Sequence, residues 1–271
     1  MAKTTGKTST LGVPLLAHPS YLKVLYYGKQ GTGKSTAAAQ ASRLGRVFVI
    51  DAEGGLIPDT LAAHGADVNN LVVWPGDGSR ITADGLAQVH ATLVADLAQD
   101  PNSWAAVVFD SMTEVHHLLR ENATADRVAK SRVVVDPDYV DRDDYNKMTT
   151  QLRRLVRLFR DLPCHVLFTA LERQEDTGEI RPSMSPALGN DLMGYVDEVV
   201  RTAMVRGQVI GRFQPTEQIN AKDRVGKFPP LMANPGFDRV VRVFTDDLDL
   251  NSDEEQTAFL ESITPNQSKE D

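Results

Sequence analysis

The segment GKQGTGKS at Gly28–Ser35 sets glycines, lysines and a hydroxyl at the spacing of a phosphate-binding loop. In such a loop the backbone of Gly28, Lys29, Gln30, Gly31, Thr32 and Gly33 wraps N–H groups around phosphates. Lys34 reaches the outer pair, Ser35 ligates Mg²⁺ and Thr36 carries the chain into a helix. A phosphate-bound Mg²⁺ also needs an acidic partner at the end of a neighbouring strand, and AAVVFDS supplies Asp110 after a buried run. Asp110 can equally cap the helix that follows, a role compatible with the first. Cleaving a phosphoanhydride requires a group that positions or deprotonates water, and VFVIDAEGG offers Glu53 and Asp51. Glu53 is the preferred base because it lies further past the strand, where parallel sheets place their ligands; Asp51 competes.

These groups must be held by alternating strands and helices. Apolar runs at 22–27, 46–51, 71–74, 105–110 and 165–169 read as strands, and 35–44, 82–98 and 144–162 as helices. In the last helix Met148, Leu152, Leu155, Phe159 and Leu162 form the inner stripe. The alternation implies an α/β fold of P-loop type, a mainly parallel sheet flanked by helices. Segments 198–205 and 208–214, joined at Arg206-Gly207, then read as an antiparallel hairpin extending it. The expected organisation is a polar, Ser/Thr-rich arm at 1–12, an ATPase core at 13–244 and a disordered acidic tail at 245–271.

With 271 residues, 41% hydrophobic and 24% charged, the chain can bury a sizeable core, which excludes disordered and collagenous classes. No apolar run approaches a membrane span of roughly 18 residues, so no membrane partner is expected. The single cysteine, Cys164, and an N-terminus without an apolar signal region point to the cytoplasm. The net charge of −8 is unevenly spread: nine acids against Lys269 lie beyond residue 244, whereas 28 acids and 28 bases balance before it. Such a tail suits solubility, or an arm that competes with polyanions or engages partner proteins.

Three segments in this order, GKQGTGKS, VFVIDAEGGLIP and AVVFDSMTEV, resemble the RecA family. Recombinases of that family end a hydrophobic strand in Asp-Ala-Glu, whose glutamate activates the attacking water; the match falls on Asp51, Ala52 and Glu53. NAKDRVGKFPP is similar to the Lys-x-Arg-x-Gly element of RadA-like relatives, which implies that Lys222 and Arg224 act in trans on a neighbour's ATP. A basic surface turn is the alternative. With Gly194–Asp197 (GYVD), the layout over about 21–235 resembles the phage RecA-like NTPases associated with single-strand annealing and recombination. The resemblance implies ATP and Mg²⁺ as cofactors, self-association into a ring or filament, single-stranded DNA as partner, replication or recombination proteins at the acidic tail, and a phage-infected host's cytoplasm. It departs at Ile57 and Thr60, where bacterial RecA meets adenine through an aspartate and a tyrosine. It departs also at Ala170, where a γ-phosphate-sensing glutamine is expected; Glu172, Arg173 or Gln174 is the candidate substitute.

The resemblance places DNA loops at about 121–144 and 172–191, with Arg127, Lys130, Arg132, Arg173 and Arg181 as phosphate contacts. Acids outnumber bases in both, which implies weak or strongly ATP-dependent binding. Arg153, Arg154, Arg157 and Arg160 recur three or four apart, as a solvated or interfacial helix face would require, or a DNA contact. Tyr139 and Tyr145 could stack on bases or pack in the loop. His116 and His117 lack partners at metal spacing, and Cys164 opens a buried strand. Two other functions fit the same motifs: a replicative-helicase-like motor, and a non-hydrolysing ATP-sensing interaction module.

Overall fold

The computed structural model describes residues 20–132, 134, 136 and 139–263. The expected arm at 1–12 lies outside them, as do residues 264–271 of the tail.

The first strand, β1 (Lys23–Gly28), is buried along its whole length because helices cover both faces of the sheet. After the glycine loop, α1 (Lys34–Ala39) continues as a 3₁₀ turn at Gln40–Arg43. Then follow β2 (Val47–Asp51), α2 (Pro58–Ala63), β3 (Leu71–Trp74), α3 (Ala83–Gln99) and β4 (Ala106–Asp110). Thr82 caps α3 by accepting from Gly85 N–H at 3.0 Å. Helices α4 (Met112–Lys130) and α5 (Arg142–Arg160) precede β5 (His165–Gln174), β6 (Ile180–Pro182) and α6 (Pro186–Tyr195). The chain finishes with β7 (Glu198–Val205), β8 (Gln208–Arg212), β9 (Lys222–Asp223), β10 (Leu231–Ala233), α7 (Phe237–Phe244) and α8 (Glu254–Ile263).

The sheet runs β10-β8-β7-β1-β5-β4-β2-β3. The six strands from β7 to β3 are mutually parallel, and the β7–β8 hairpin turns the sheet antiparallel at one side. This is the α/β architecture of a P-loop NTPase. Alternation with a period of two sends Leu25 and Tyr27 into one core with α3–α6, and Val24 and Tyr26 into a second with α1 and α7. No helix among the described residues is long and apolar enough to cross a membrane.

Several elements depart from the sequence expectation. Helix α4 runs on to Lys130, so most of the first expected DNA loop is helical. Helix α4 is capped by Ser111, not Asp110; Asp141 caps α5 in a capping box with Asp144. Strand β5 continues to Gln174 because β6 pairs with its extension, Arg173 lying opposite Arg181. The acidic segment is not disordered up to residue 263: α8 docks on β10 through buried Gln256 and Phe259. Gln256 pairs like a strand, accepting from Ala233 N–H and donating to the Leu231 carbonyl, both at 2.9 Å, and so satisfies an otherwise open edge.

Buried ionisable groups give the fold a pH signature. Burial, reinforced by the Asp223 and Asp197 carboxylates, pushes Glu198 up to about 8, against the donation of Val225 N–H. Burial lowers His116 and His165 to about 4, with Lys23 adding to the effect at His165. A depressed histidine contributes stability that is present above its unfolded value and is lost as pH falls from about 6.5 towards 4. A raised carboxyl does the opposite: its contribution is full below about 4.5 and is lost as pH rises from there through about 8, a decline that two histidines outweigh up to 6.5. Stability should therefore climb from pH 4 to 6.5 and then decline towards pH 8. Glu198→Gln should abolish the second limb, worth about 1 kcal/mol after allowance for solvent screening, in thermal unfolding across that range. An unchanged limb would remove Glu198 as its source.

Candidate functional site

The site lies along the C-terminal edge of the parallel strands. At the end of β1, Gly28 faces Thr202 of β7 so closely that a Cβ would come within 2.4 Å of the Thr202 carbonyl oxygen. Beyond it Gly31 and Gly33 take left-handed φ values of 71° and 76°, which glycine adopts without strain. Thr32 ties the loop to the sheet, donating to the Lys29 carbonyl at 2.8 Å and pairing with the Thr202 hydroxyl at 2.9 Å. The Lys34 ammonium folds against the loop, donating to the carbonyls of Lys29 at 2.7 Å and Gly28 at 3.1 Å. Burial lowers its pKa, while Asp110, Glu53 and Glu172 act in the other direction.

Asp110 ends β4 and is buried. Thr169 Oγ1, from β5 between β1 and β4, donates to its Oδ1 at 2.5 Å, and the Ser35 hydroxyl lies beside it on the same cavity. Burial raises its pKa; these two donors oppose the shift, and the carboxylates of Glu53 and Asp51 add to it. A carboxylate beside a serine hydroxyl is the hard-oxygen set that Mg²⁺ takes when phosphates and water complete its shell. Among the described residues no group of three or more His, Cys, Asp and Glu could hold a metal by itself. The donors present therefore fit a metal carried with a nucleotide.

Glu53 lies one turn beyond β2, and Ser111 Oγ donates to its Oε1 at 2.5 Å. Together with Gln30, Lys34, Ser35 and Asp110 it lines a cavity of about 340 Å³. Asp51 instead accepts from Gly54 N–H at 2.8 Å, which spends its carboxylate on the turn and leaves Glu53 facing the cavity. Thr169 was missed by sequence reasoning, and Ser111 enters it only as the serine that follows the aspartate in the RecA resemblance, without its contact to Glu53. Each touches a site carboxylate, and their signal was a hydroxyl residue at the end of an apolar strand and directly after Asp110.

Other candidates fall elsewhere. Glu172 is held by Arg201 in a two-bond pair at 2.8 and 3.2 Å, and Arg173 by Glu175 at 2.5 Å. Neither they nor Gln174 line the phosphate cavity, so β5 brings no sensor from these three into it. Lys222 Nζ donates to the carbonyls of Val196 at 2.6 Å and Met193 at 3.1 Å, closing the end of α6. Arg224 pairs with Asp197 at 3.0 Å and is half exposed. Lys222 and Arg224 flank Asp223, which lies opposite Glu198 at the start of β7, in register with Val24 and roughly 13 Å down the sheet from Gly28. They cannot reach their own chain's phosphate loop.

The expected DNA contacts are largely neutralised within the chain. Arg127 pairs with Asp144 at 2.9 Å and Asp141 at 3.3 Å, and Arg181 with Glu179 at 2.8 Å. Lys130 and Arg132 are exposed. Of the arginine stripe on α5, Arg153 is held by Asp191 and Arg160 by Asp161, whereas Arg154 and Arg157 are exposed.

The glycine loop yields a direct test. Gly28→Ala drives a methyl into the backbone of β7, so it should lower the thermal midpoint and weaken nucleotide affinity by at least about tenfold. Lys34→Ala should lose nucleotide binding while keeping the fold. Calorimetric titration and circular dichroism separate the two, and nucleotide affinity retained in both variants would refute this placement of the phosphates.

The comparisons with known proteins agree with this geometry. No curated protein matches the chain. A family model described as an AAA domain matches residues 20–225, from the start of β1 through β9. That span holds the glycine loop, Glu53, Asp110 and the strands between them, so nucleotide binding and ATPase chemistry of the P-loop kind follow from the family as well as from the site. The chain belongs to the AAA domain family.

Proposed function

We propose that the protein is a Mg²⁺-dependent ATPase with RecA-like organisation, which assembles with ATP between subunits and acts on single-stranded DNA in annealing or recombination. The observation that carries the ATPase half is the convergence of Lys34, Ser35, Asp110 and Glu53 on one cavity. In the proposed reaction the loop N–H groups and Lys34 hold the β- and γ-phosphates, and Ser35 and Asp110 would hold the metal. The metal would supply charge neutralisation as the leaving diphosphate forms. Glu53 accepts a proton from the attacking water, whose oxygen bonds the γ-phosphorus as the bond to the bridging oxygen breaks. The Ser111 hydroxyl keeps that carboxylate oriented.

The subunit reading is supported by Lys222 and Arg224, which lie beside the start of β7, at the opposite end of the strands from the glycine loop. A phosphate contact by them therefore needs a second chain. The DNA half rests on the motif order and on the loops at the nucleotide edge. Since Arg127, Arg173 and Arg181 already hold carboxylates, DNA must exchange those partners for phosphate, an exchange that a rearrangement on ATP binding would favour.

Glu53→Gln should bind ATP with wild-type affinity and hydrolyse it at least about a hundredfold more slowly. Normal turnover in that variant would remove Glu53 as the base. ATP hydrolysis with and without single-stranded DNA, followed by light scattering in the same samples, tests the rest. Joint stimulation and assembly are expected. If neither signal responds to DNA, the ATPase stands and the DNA role falls.

A further inference from the structure

A second cavity of about 570 Å³ opens beside the first, and Gly31, Gly33 and Thr36 line both. The two therefore form one passage that turns around the glycine loop. The first is polar and small, with a lysine and a metal-type donor pair. The second is larger and mixed: Met204 and Val209 from the β7–β8 hairpin and Pro235 give it an apolar side, and Gln40, Asn234 and Glu255, with the basic Arg43, His64 and Arg239, a polar one. An apolar wall with amide and carboxylate groups opposite matches an aromatic base carrying a hydroxylated ribose.

Neither Ile57 nor Thr60 lines this cavity, and Ile57 is exposed. The polar wall comes instead from the acidic segment. Glu255, at the start of α8, accepts from Asn234 Nδ2 and from Arg239 Nη1. Asp253 holds the other arm of the same guanidinium at 2.8 Å. Asn234 takes a left-handed φ of 43°, a conformation asparagine tolerates better than most residues, and its N–H donates to the Val209 carbonyl at 2.8 Å. The helix itself is fixed by the Gln256 bonds to β10 and by buried Phe259. The wall is thus one connected unit running from α8 to the glycine loop.

We propose that the nucleoside half of the triphosphate occupies this second cavity, and that Glu255, delivered by the acidic segment, determines its recognition. The inference rests on the P-loop reading above and extends it. The glycine loop holds the phosphates without help from α8. The base and ribose depend on α8, so nucleotide binding and the docking of the acidic segment stabilise one another.

The test compares a Mg²⁺-bound non-hydrolysable ATP analogue with Mg²⁺ and inorganic tripolyphosphate, on the full chain. Glu255→Ala and, separately, the half-exposed Met204→Trp, which fills the cavity from its apolar side, should each weaken the analogue about tenfold and leave tripolyphosphate unchanged. In the wild type, hydrogen exchange over 253–263 should slow with the analogue and not with tripolyphosphate. Unchanged analogue affinity in both variants, equal losses for the two ligands, or equal protection by both would overturn the proposal and leave the P-loop reading intact. Failure of the wild type to bind either ligand would overturn both readings.

Discussion

The carboxylate of Asp110 is the constraint around which the nucleotide edge is built. It sits buried at the end of β4, with two further carboxylates, Glu53 and Asp51, close enough to raise its pKa. A buried charge is tolerated only when hydrogen bonds or an opposite charge compensate it. Here the compensation comes from two elements: Thr169 on β5, and the start of α1, whose Ser35 hydroxyl and Lys34 ammonium lie beside the carboxylate. Because β5 runs between β1 and β4, the strand carrying the glycine loop and the strand carrying the acid are held two positions apart, with Thr169 spanning the gap. The strand order is thus a condition for the acid to face the serine.

The same burial separates the roles of the three acids. Asp51 is consumed by its own turn, and Asp110 is locked by donors. Glu53 alone combines exposure with a place at the cavity, and its one side-chain partner is the hydroxyl of Ser111. A base must gain and lose a proton reversibly and meet water, and an exposed carboxylate can do both. A metal ligand must stay fixed, and the buried acid is fixed by its surroundings.

Much of this was legible in the sequence because its signals are local. The glycine loop announces itself by residue type and spacing, and the paired strands by uninterrupted apolar runs that two-sided burial demands. Asp110 and Glu53 could be placed because a strand end is visible as the point where the apolar run stops. What escaped depended on pairing at a distance. The Thr169–Asp110 bond requires knowing that β5 enters between β1 and β4. The extension of β5 to Gln174 is stabilised by β6, and a segment containing Glu172, Arg173 and Gln174 looks like loop until its partner strand is known. The acidic segment misled in the same way: its charge suggested disorder, but Gln256 and Phe259 at helical spacing bury against β10 while the carboxylates face Arg239.

The fate of that segment changes how the charge distribution is to be understood. As a free tail, its acids would act on polyanions at long range and be screened by salt within about 10 Å. Docked on β10, two of them instead neutralise Arg239 at the wall of the larger cavity, where they act on whatever sits against that wall. Meanwhile Arg127, Arg173 and Arg181, three of the residues expected to meet DNA, are occupied by acids of their own segments. Arg239 on one side and Arg127, Arg173 and Arg181 on the other are thus held in internal pairs, and a polyanion that binds any of these four must compete with a carboxylate already in place. That competition, more than the net charge of −8, sets the electrostatic terms on which a phosphate-bearing partner can bind.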